Sequence, residues 1–369
     1  MSLRILSLST SGEKCGIATY NDQLGAAFRA IGAEFDTHPI DRAGSLKKTR
    51  REFLHHFDAF IARTRDCDAI LVQHEHAFFM GNNAQSMSPR VFARLLRALA
   101  ATRKPVVVIF HSAPLASGSF LSRRRYYWNR VLAILRANPQ IALFTHGEHT
   151  VASYIEAGIE SGRMVSVPHP LPRSTPVRCE RSANDPVVLT IFGFTVRYKG
   201  YDVALEALRR LPDRFRLLAA GGPNPNVRGD PTFGMLAEAA RSDEFSGRLE
   251  ITGWIEEGEI ADAMARTDIA LAPYARETNL AGSGALTWAI CHAVPVIASD
   301  AKSFAAIQAE AGCLSIVPCG DPAALAARIV ELWDDAPERA RLVENGLVYA
   351  RERSWESLAR SLLPKLFRA

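Results

Sequence analysis

The sequence predicts an α/β protein built from two doubly wound parallel sheets. Short apolar runs alternate with longer amphipathic stretches from one end of the chain to the other. The runs are apolar throughout rather than alternating in polarity, which is typical of parallel strands buried on both faces. A length of 369 residues suits two such domains. The composition, 48% hydrophobic and 22% charged, is that of a globular chain and excludes a disordered or disulfide-stapled one.

Strands and helices are predicted to follow one another as βαβ units. The predicted strands are 3–8, 69–73, 105–110, 141–145, 164–167, 187–192, 215–219, 249–252, 269–272 and 294–298. One intervening helix follows Ser88 and Pro89, where the serine is expected as the N-cap and the proline in the first turn.

A proline-rich segment separates the two predicted domains. Four prolines lie between Pro168 and Pro176, and few large apolar residues accompany them. We therefore predict a first domain over 1–175 and a second over 176–353. The last stretch, 354–369, is an amphipathic helix that is too short to be a domain and must pack on one already built.

Charge and cysteine content bear on the binding partners of the protein and on its cellular compartment. Residues 1–175 carry 22 Lys and Arg against 13 Asp and Glu, a net +9 within a total of +5. This asymmetry would suit nucleic acid or an anionic membrane surface, or it serves solubility alone, and no nucleic-acid-binding motif accompanies it. Six scattered cysteines without a C-x-x-C pair, no secretory leader and no long apolar run predict a cytoplasmic protein with reduced thiols.

Candidate site residues follow the predicted strands, because ligands of open parallel sheets bind at the carboxyl ends of the strands. The first strand leads into a small-residue loop that ends at Gly16 and opens a helix, either an anion-binding turn or an ordinary βα turn. Another strand leads directly into His111, which is either a structural residue with satisfied hydrogen bonds or a catalytic one. His74 and His76 also follow a strand and should share one side of it, but we expect no metal because no third ligand is identifiable.

Two loops of the second half have the residues that a diphosphate requires. Arg197 and Lys199 lie two residues apart in a glycine-bounded loop after a strand, where they would converge on a diphosphate or simply be solvated. Ser283, Gly284 and Ala285 open a helix whose N-terminal amides and dipole favour a phosphate.

Six segments follow one another along the chain: GIATYNDQL, VVVIFHS, SVPHPLP, IFGFTVRYKGYDVALEAL, LEITGWIEEGEIADAMARTDIALAPY and SGALTWAICHAVPVIAS. Taken in order, they resemble the retaining glycosyltransferases of family 4, which have the GT-B fold. The resemblance rests on the order and spacing of the segments together. It implies two Rossmann-like domains, an acceptor site on the first and a nucleotide-sugar site on the second. It also implies that the terminal helix crosses back to the first domain.

The resemblance also assigns roles to particular residues. Lys199 matches the lysine that holds the donor diphosphate, and Arg197 takes the role of an arginine that the family usually has where Phe194 stands here. Gly16 matches the glycine that approaches the donor phosphates, and His111 matches the histidine that contacts the transferred sugar. The loop with Trp254 and Ile255 matches the one that receives the nucleobase.

One departure from the family pattern concerns two glutamates eight positions apart. Leu280 and Trp288 stand at those positions. Glu277 would replace the sugar-facing glutamate if the loop is rearranged, or it is a solvated loop acid. Ser283 and the amides of Gly284 and Ala285 would then carry more of the phosphate contact.

The sequence thus predicts a metal-independent, retaining glycosyltransferase of envelope polysaccharide or glycolipid synthesis, with His111 and Glu277 at the reacting sugar. Its donor would be a nucleotide sugar such as a UDP- or GDP-sugar, and its acceptor a glycan or a lipid-linked molecule. Alternatives are a non-catalytic sugar-nucleotide-binding subunit and a GT-B epimerase or hydrolase. A helix with Arg123, Arg124 and Arg125 at its start predicts either peripheral contact with an anionic membrane at its inner face or a core-packed helix with a solvated charged face.

Overall fold

A computed structural model describes residues 2–83, 86–114, 123–172, 185–225, 229–275 and 283–367, together with 176, 179, 182 and 227. Its contacts divide the chain into two compact units. The first contains the described residues up to His169 and the terminal segment from Trp355, and the second contains those from Pro170 to Ser354. The predicted boundary at 175/176 lies a few residues after this division.

The first unit is built on a parallel sheet of six strands in the order β2-β1-β3-β4-β5-β6. The strands are β1 (Arg4–Ser9), β2 (Glu34–Pro39), β3 (Ala69–His74), β4 (Val106–Phe110), β5 (Ile141–Thr145) and β6 (Met164–Ser166). The helices are α1 (Gly16–Ala30), α2 (Arg42–Ser45), α3 (Arg50–Phe53), α4 (Asp58–Arg63), α5 (Met87–Ala101), α6 (Arg123–Ala137) and α7 (Glu148–Glu156), with short 3₁₀ turns at Thr64–Asp66 and His76–Phe79. The chain order reverses between β1 and β3.

The second unit repeats this plan with the strand order β12-β11-β10-β7-β8-β9, again all parallel. The strands are β7 (Val187–Phe192), β8 (Phe215–Ala220), β9 (Leu249–Ile251), β10 (Ile269–Ala272), β11 (Val296–Ser299) and β12 (Leu314–Val317). The helices are α8 (Tyr201–Arg210), α9 (Thr232–Ala239), α10 (Glu257–Ala265), α11 (Gly284–Cys291), α12 (Lys302–Ala311), α13 (Pro322–Asp334) and α14 (Ala336–Arg351), with 3₁₀ turns at Arg197–Lys199 and Asp243–Phe245. The order reverses between β7 and β10, and such a switch point is where ligands of open α/β sheets bind.

The last helix, α15 (Trp355–Leu366), packs on the first unit, as predicted. Its apolar stripe, Leu358, Ala359, Leu362 and Leu366, is buried in one cluster with Leu24 and Phe28 of α1. Pro364 lies inside the helix on its exposed side. Within the described ranges, no helix is both long and apolar enough to cross a membrane.

All ten predicted strands are present, and two further strands were not predicted. One prediction about a helix start is wrong: α5 begins at Met87, so Ser88 is inside the first turn rather than at the N-cap. Ser86 precedes the helix instead and makes no side-chain capping bond within the described residues. The Ser88 hydroxyl faces His76, with 3.5 Å between Oγ and Nδ1.

Candidate functional site

The turn after β7 buries a lysine at the switch point of the second sheet. Lys199 is 4% exposed, and its ammonium donates hydrogen bonds to the Phe192 carbonyl (2.8 Å) and to the Tyr274 hydroxyl (2.7 Å). The ammonium also lies 5.0 Å from the centre of the Tyr274 ring, within cation–π range. Two strands that adjoin at the switch point, β7 and β10, therefore contribute to one charged centre.

This centre extends to the start of α11. The Tyr274 hydroxyl lies 3.0 Å from the Ser283 hydroxyl, and Ser283 is the N-cap of α11, accepting a hydrogen bond from the Leu286 amide. A helix N-terminus carries partial positive charge and unpaired amides. The Tyr274 hydroxyl thus links the Lys199 ammonium to the N-terminus of α11 through Ser283. An ammonium and a helix N-terminus joined in this way suit an anion.

Glycines make the tight fit around Lys199 feasible. Gly200 has a left-handed φ of +73°, and a Cβ there would lie 2.0 Å from the Pro273 carbonyl oxygen. Gly193 has φ +101°, and a Cβ there would lie 2.8 Å from Lys199 Nζ. The Ala275 amide donates to the Tyr198 carbonyl (2.8 Å), which fixes the turn against the segment after β10.

Burial sets the ionisation of this centre. Burial lowers the pKa of Lys199 to about 8, while nearby Tyr198 favours the charged ammonium. Burial raises the pKa of Tyr274 to about 12, so its hydroxyl stays neutral. An incoming anion would favour the ammonium and offset the cost of burying it.

In the first unit, His111 follows β4 and ends a buried chain of hydrogen bonds. Its Nε2 lies 2.7 Å from Gln73 Oε1, and Gln73 donates to Asn21 Oδ1 (3.3 Å). Asn21 Oδ1 also accepts from the Ser7 hydroxyl (2.6 Å), and Asn21 donates to Thr37 (3.0 Å). Because Gln73 turns its nitrogen to Asn21, its oxygen faces the histidine. The proton of His111 is then on Nε2, which leaves a lone pair on Nδ1.

The rings of Tyr20 and His146 lie against His111. Tyr20 of α1 contacts it edge to face, with 4.7 Å between ring centres, and also contacts His146, His169 and Trp355. Burial, and secondarily nearby His169, lower the pKa of His111 to about 3. Its imidazole is therefore neutral near pH 7 and acts as a hydrogen-bonding group rather than a cation.

Gly16, the first residue of α1, is exposed and has no structural reason to be glycine within its own unit. Its φ is not left-handed, and a Cβ there would meet nothing in the described residues within 4 Å. A glycine that neither strain nor packing explains is consistent with close approach by a ligand.

Comparisons with known proteins agree with this arrangement. Residues 185–335 match the model of the family "Glycosyl transferases group 1". A phosphatidyl-myo-inositol mannosyltransferase of Mycobacterium leprae is 30% identical over 172 residues, which cover 45% of this chain and 42% of that protein. The chain thus matches less than half of that relative's length.

Solved structures match nearly the whole chain. The Anabaena protein Alr3699/HepE in complex with UDP superposes with a TM-score of 0.71 at 14% identity and 99% coverage of both chains. A sucrose-phosphate synthase from Thermosynechococcus elongatus gives 0.72 at 17% identity and 98% coverage of both. The chain has the GT-B fold, and residues 185–335, which lie within its second unit, match the group 1 glycosyltransferase model. The predicted resemblance to GT-B glycosyltransferases is confirmed.

The other residues that the sequence predicts for the donor site lie in the loops and helix starts of the second unit. Arg197 is exposed, and its backbone amide donates to Asp230 (3.0 Å). Trp254 is 37% exposed, stacks obliquely on Phe194 at 5.4 Å and donates from Nε1 to Glu256 (3.0 Å). Ile255 is half-buried beside β8, and Gly284 and Ala285 begin α11. Their roles toward a donor stay predictions.

Of the two positions where the family commonly has glutamates, the structure describes Trp288 but not Leu280. Trp288 lies in α11, half-buried and stacked on His292 at 5.7 Å. Glu277 and Leu280 fall outside the described residues, so the expected replacement role of Glu277 stays a prediction.

Sequence reasoning missed Gln73, Asn21, Tyr20 and Tyr274. A signal existed for two of them. Gln73 and His74 are polar residues at the end of a buried strand that is apolar before them, and Tyr274 lies two residues after the end of β10. Asn21 and Tyr20 lie on an ordinary amphipathic helix face, and only the packing of α1 on the sheet shows their neighbours.

Proposed function

We propose that this chain transfers a sugar from a nucleotide-sugar donor, such as a UDP- or GDP-sugar, to a hydroxyl acceptor with retention of anomeric configuration. The observation that carries the proposal is the junction of Lys199, Tyr274 and Ser283 at the switch point of the second sheet. The group 1 glycosyltransferase domain over 185–335 supports it. So do structural neighbours that were solved with UDP and with UDP-glucose.

The proposed chemistry begins with departure of the nucleoside diphosphate. The bond from the sugar anomeric carbon to the phosphate oxygen breaks, and negative charge develops on the diphosphate. Lys199, Arg197 and the α11 amides at Gly284 and Ala285 stabilise that charge in place of a metal ion. The acceptor oxygen then bonds to the anomeric carbon on the face that the diphosphate left, and the acceptor proton passes to the departing phosphate oxygen.

The acceptor side of the proposal rests on the first unit. His111 is neutral, held in one tautomer and located where strand β4 ends, so its Nδ1 lone pair is available to a sugar hydroxyl. We propose a glycan or lipid-linked acceptor, consistent with the envelope or glycolipid role that the sequence predicts. The relative from Mycobacterium leprae is named for mannosyl transfer to phosphatidyl-myo-inositol.

Trp288 favours a second candidate, a sugar-nucleotide-binding subunit without transfer activity. The family usually has a carboxylate at this position, and an indole cannot accept hydrogen bonds from ribose hydroxyls. Release of nucleoside diphosphate in the absence of acceptor distinguishes the two. A panel of UDP- and GDP-sugars is first ranked by thermal shift, and the best donor is then assayed for release, with Lys199→Met as the control.

The transferase proposal predicts slow release by the native chain and little or none by Lys199→Met. Donor binding without any release, and without transfer to any acceptor tried, would support the binding subunit instead.

A further inference from the structure

The hydrogen bonds behind His111 begin at a serine inside β1. Ser7 is 0% exposed, and its hydroxyl lies 2.6 Å from Asn21 Oδ1 on α1. The side-chain nitrogen of Gln73 on β3 lies 3.3 Å from the same oxygen, and Gln73 Oε1 lies 2.7 Å from His111 Nε2. Asn21 and Gln73 are fully buried as well. Three side chains from three elements thus connect the first strand of the sheet to the histidine.

Such a chain of hydrogen bonds has two possible polarities, because a side-chain amide keeps its shape when its oxygen and nitrogen exchange places. In one polarity Asn21 turns its oxygen toward Ser7 and Gln73, and His111 carries its proton on Nε2. In the other polarity both amides are turned over, Gln73 donates to Nε2 of the histidine, and the proton lies on Nδ1. Whatever fixes the polarity of the chain therefore fixes the tautomer of His111.

Ser7 fixes this polarity. Its hydroxyl has no partner other than Asn21 among the residues that the structure describes. A hydroxyl always carries a hydrogen, so Ser7 is satisfied only if it donates, and a buried donor without an acceptor is costly. Asn21 must therefore present its oxygen to Ser7. Because Gln73 faces that same oxygen, it must present its nitrogen to Asn21 and its oxygen to the histidine.

Thr37 on β2 agrees with this polarity without imposing it. The nitrogen of Asn21 donates to Thr37 Oγ1 at 3.0 Å, as it must when the oxygen of Asn21 faces Ser7. Thr37 is only half-buried, so reversing its hydroxyl costs less than reversing the hydroxyl of Ser7. The fully buried serine is therefore the end of the chain that decides its direction.

We propose that Ser7 is a positioning residue that acts through Asn21 and Gln73 to hold His111 as its Nε2–H tautomer, with Nδ1 as the acceptor for a sugar hydroxyl. A lone pair accepts a hydrogen bond from a hydroxyl and repels a phosphate or carbonyl oxygen, so the tautomer selects the kind of group that binds. The role of Nδ1 rests on the proposed function, whereas the tautomer is a property of the chain alone.

The test is ¹⁵N NMR of the full chain labelled at its ten histidines, with no nucleotide sugar present. The signals of His111 are those that His111→Gln removes. Near pH 7 the imidazole is neutral, because burial lowers its pKa to about 3, and its protonated and unprotonated nitrogens differ in chemical shift. We expect a single tautomer in the native chain, with the proton on Nε2. A proton on Nδ1 would overturn the proposal without any variant.

Ser7→Ala removes the hydroxyl that fixes the polarity. We expect the Nδ1–H tautomer to rise by about fivefold or more and to become visible beside the first, since no buried hydrogen then requires the oxygen of Asn21. Ser9→Ala is the matched control: Ser9 lies on the same strand, is equally buried, and its hydroxyl has no partner within the described ranges. A tautomer that does not change in Ser7→Ala, or that changes equally in both variants, would contradict the role of Ser7.

Turnover tests the role of Nδ1 separately. With the donor selected by thermal shift, Ser7→Ala should lower kcat per folded molecule by about twofold or more, because fewer molecules hold the competent tautomer, while KM changes by less than about twofold. Ser9→Ala should change neither. A normal kcat in Ser7→Ala despite a changed tautomer would overturn the role of Nδ1. Because the NMR test uses no donor, a wrong tautomer leaves sugar transfer untouched, and failure of sugar transfer leaves the tautomer untouched.

Discussion

Lys199 keeps an ammonium group where burial disfavours charge. Burial lowers its pKa to about 8, and nearby Tyr198 acts in the opposite direction by favouring the charged form. A lysine with this pKa still carries a proton near pH 7 but loses it within the range where proteins remain folded. The affinity for the donor should therefore depend on pH as the Lys199 ammonium loses its proton.

We predict that affinity for the selected nucleotide sugar is level below about pH 8 and falls as the pH rises toward about 9. Affinity falls rather than rises with pH because the anionic diphosphate prefers the ammonium, which is lost above the pKa of about 8. Tyr274→Phe removes an acceptor that favours the charged form and should move the decline to lower pH. Lys199→Met should abolish the pH dependence, and a slope in this variant equal to that of the native chain would contradict the assignment.

His111 is a neutral group whose orientation depends on residues far from it in sequence. Gln73 holds its Nε2, and Asn21 holds Gln73, so the direction of the lone pair on Nδ1 is set by two side chains in series. A hydrogen-bonding group at this position stabilises the transition state most, because charge develops there on the transferred sugar.

We predict that His111→Ala lowers kcat by about 10- to 100-fold while donor affinity changes by less than about threefold. Gln73→Leu should lower kcat in the same direction but less, since it acts only by positioning the imidazole. Steady-state kinetics together with the melting temperature test this prediction. Loss of stability with normal activity per folded molecule would mean that His111 is only a core residue.

At the level of elements, both units place a helix N-terminus at their switch point. In the first unit it is α1, which begins at Gly16 with open space where a side chain would be. In the second it is α11, which begins beside Ser283. Helix N-termini of this kind approach phosphates closely only if bulky side chains are absent.

We predict that Gly16→Val leaves the free energy of unfolding within about 0.5 kcal/mol of the native value, because nothing nearby is displaced. Donor affinity or turnover should nevertheless fall at least about tenfold, since the branched side chain would occupy the ligand's path. Gly234→Val is the matched control, an exposed glycine in the first turn of α9 with equally open surroundings. Equal effects of the two variants on activity would refute a role for Gly16.

The elements also show which features a single sequence reveals. Strands buried on both faces were predicted because they are apolar throughout, whereas the two unpredicted strands, β2 and β12, both lie at sheet edges. β2 is Glu-Phe-Asp-Thr-His-Pro, exposed or half-buried along its length, so it lacks the apolar signature. Lys199 and Ser283 were found from local loop chemistry, but Tyr274, which joins them, needed the tertiary contact of two loops 75 residues apart.

At the scale of the whole molecule, the excess of basic residues lies in residues 1–175, most of which belong to the first unit. Lys47, Arg51 and Arg123 are exposed there, and Tyr126 of α6 is 57% exposed. Each basic residue near an anionic membrane surface contributes about 1 kcal/mol. We propose that these exposed basic residues bring the chain to an anionic membrane reversibly.

We predict co-sedimentation with anionic but not zwitterionic vesicles, weakened by salt as screening requires. Changing Lys47, Arg51 and Arg123 to Glu should reduce binding by more than about tenfold. Changing Arg210, Arg216 and Arg241 to Glu, three exposed residues of the second unit, should have little effect. Indifference to lipid charge at low salt would point to a soluble acceptor.

The central claim is that the second unit binds a nucleoside diphosphate through Lys199 and Arg197, and titration calorimetry with UDP and GDP tests it most directly. We predict that one of them binds the native chain, and that Lys199→Met and Arg197→Ala each weaken it by about 1.5–3 kcal/mol, the scale of a lost charged hydrogen bond. Arg210→Ala, an exposed arginine at the end of α8, should leave the affinity unchanged. Unchanged affinity in the Lys199 and Arg197 variants, or no binding of either nucleotide, would contradict the account.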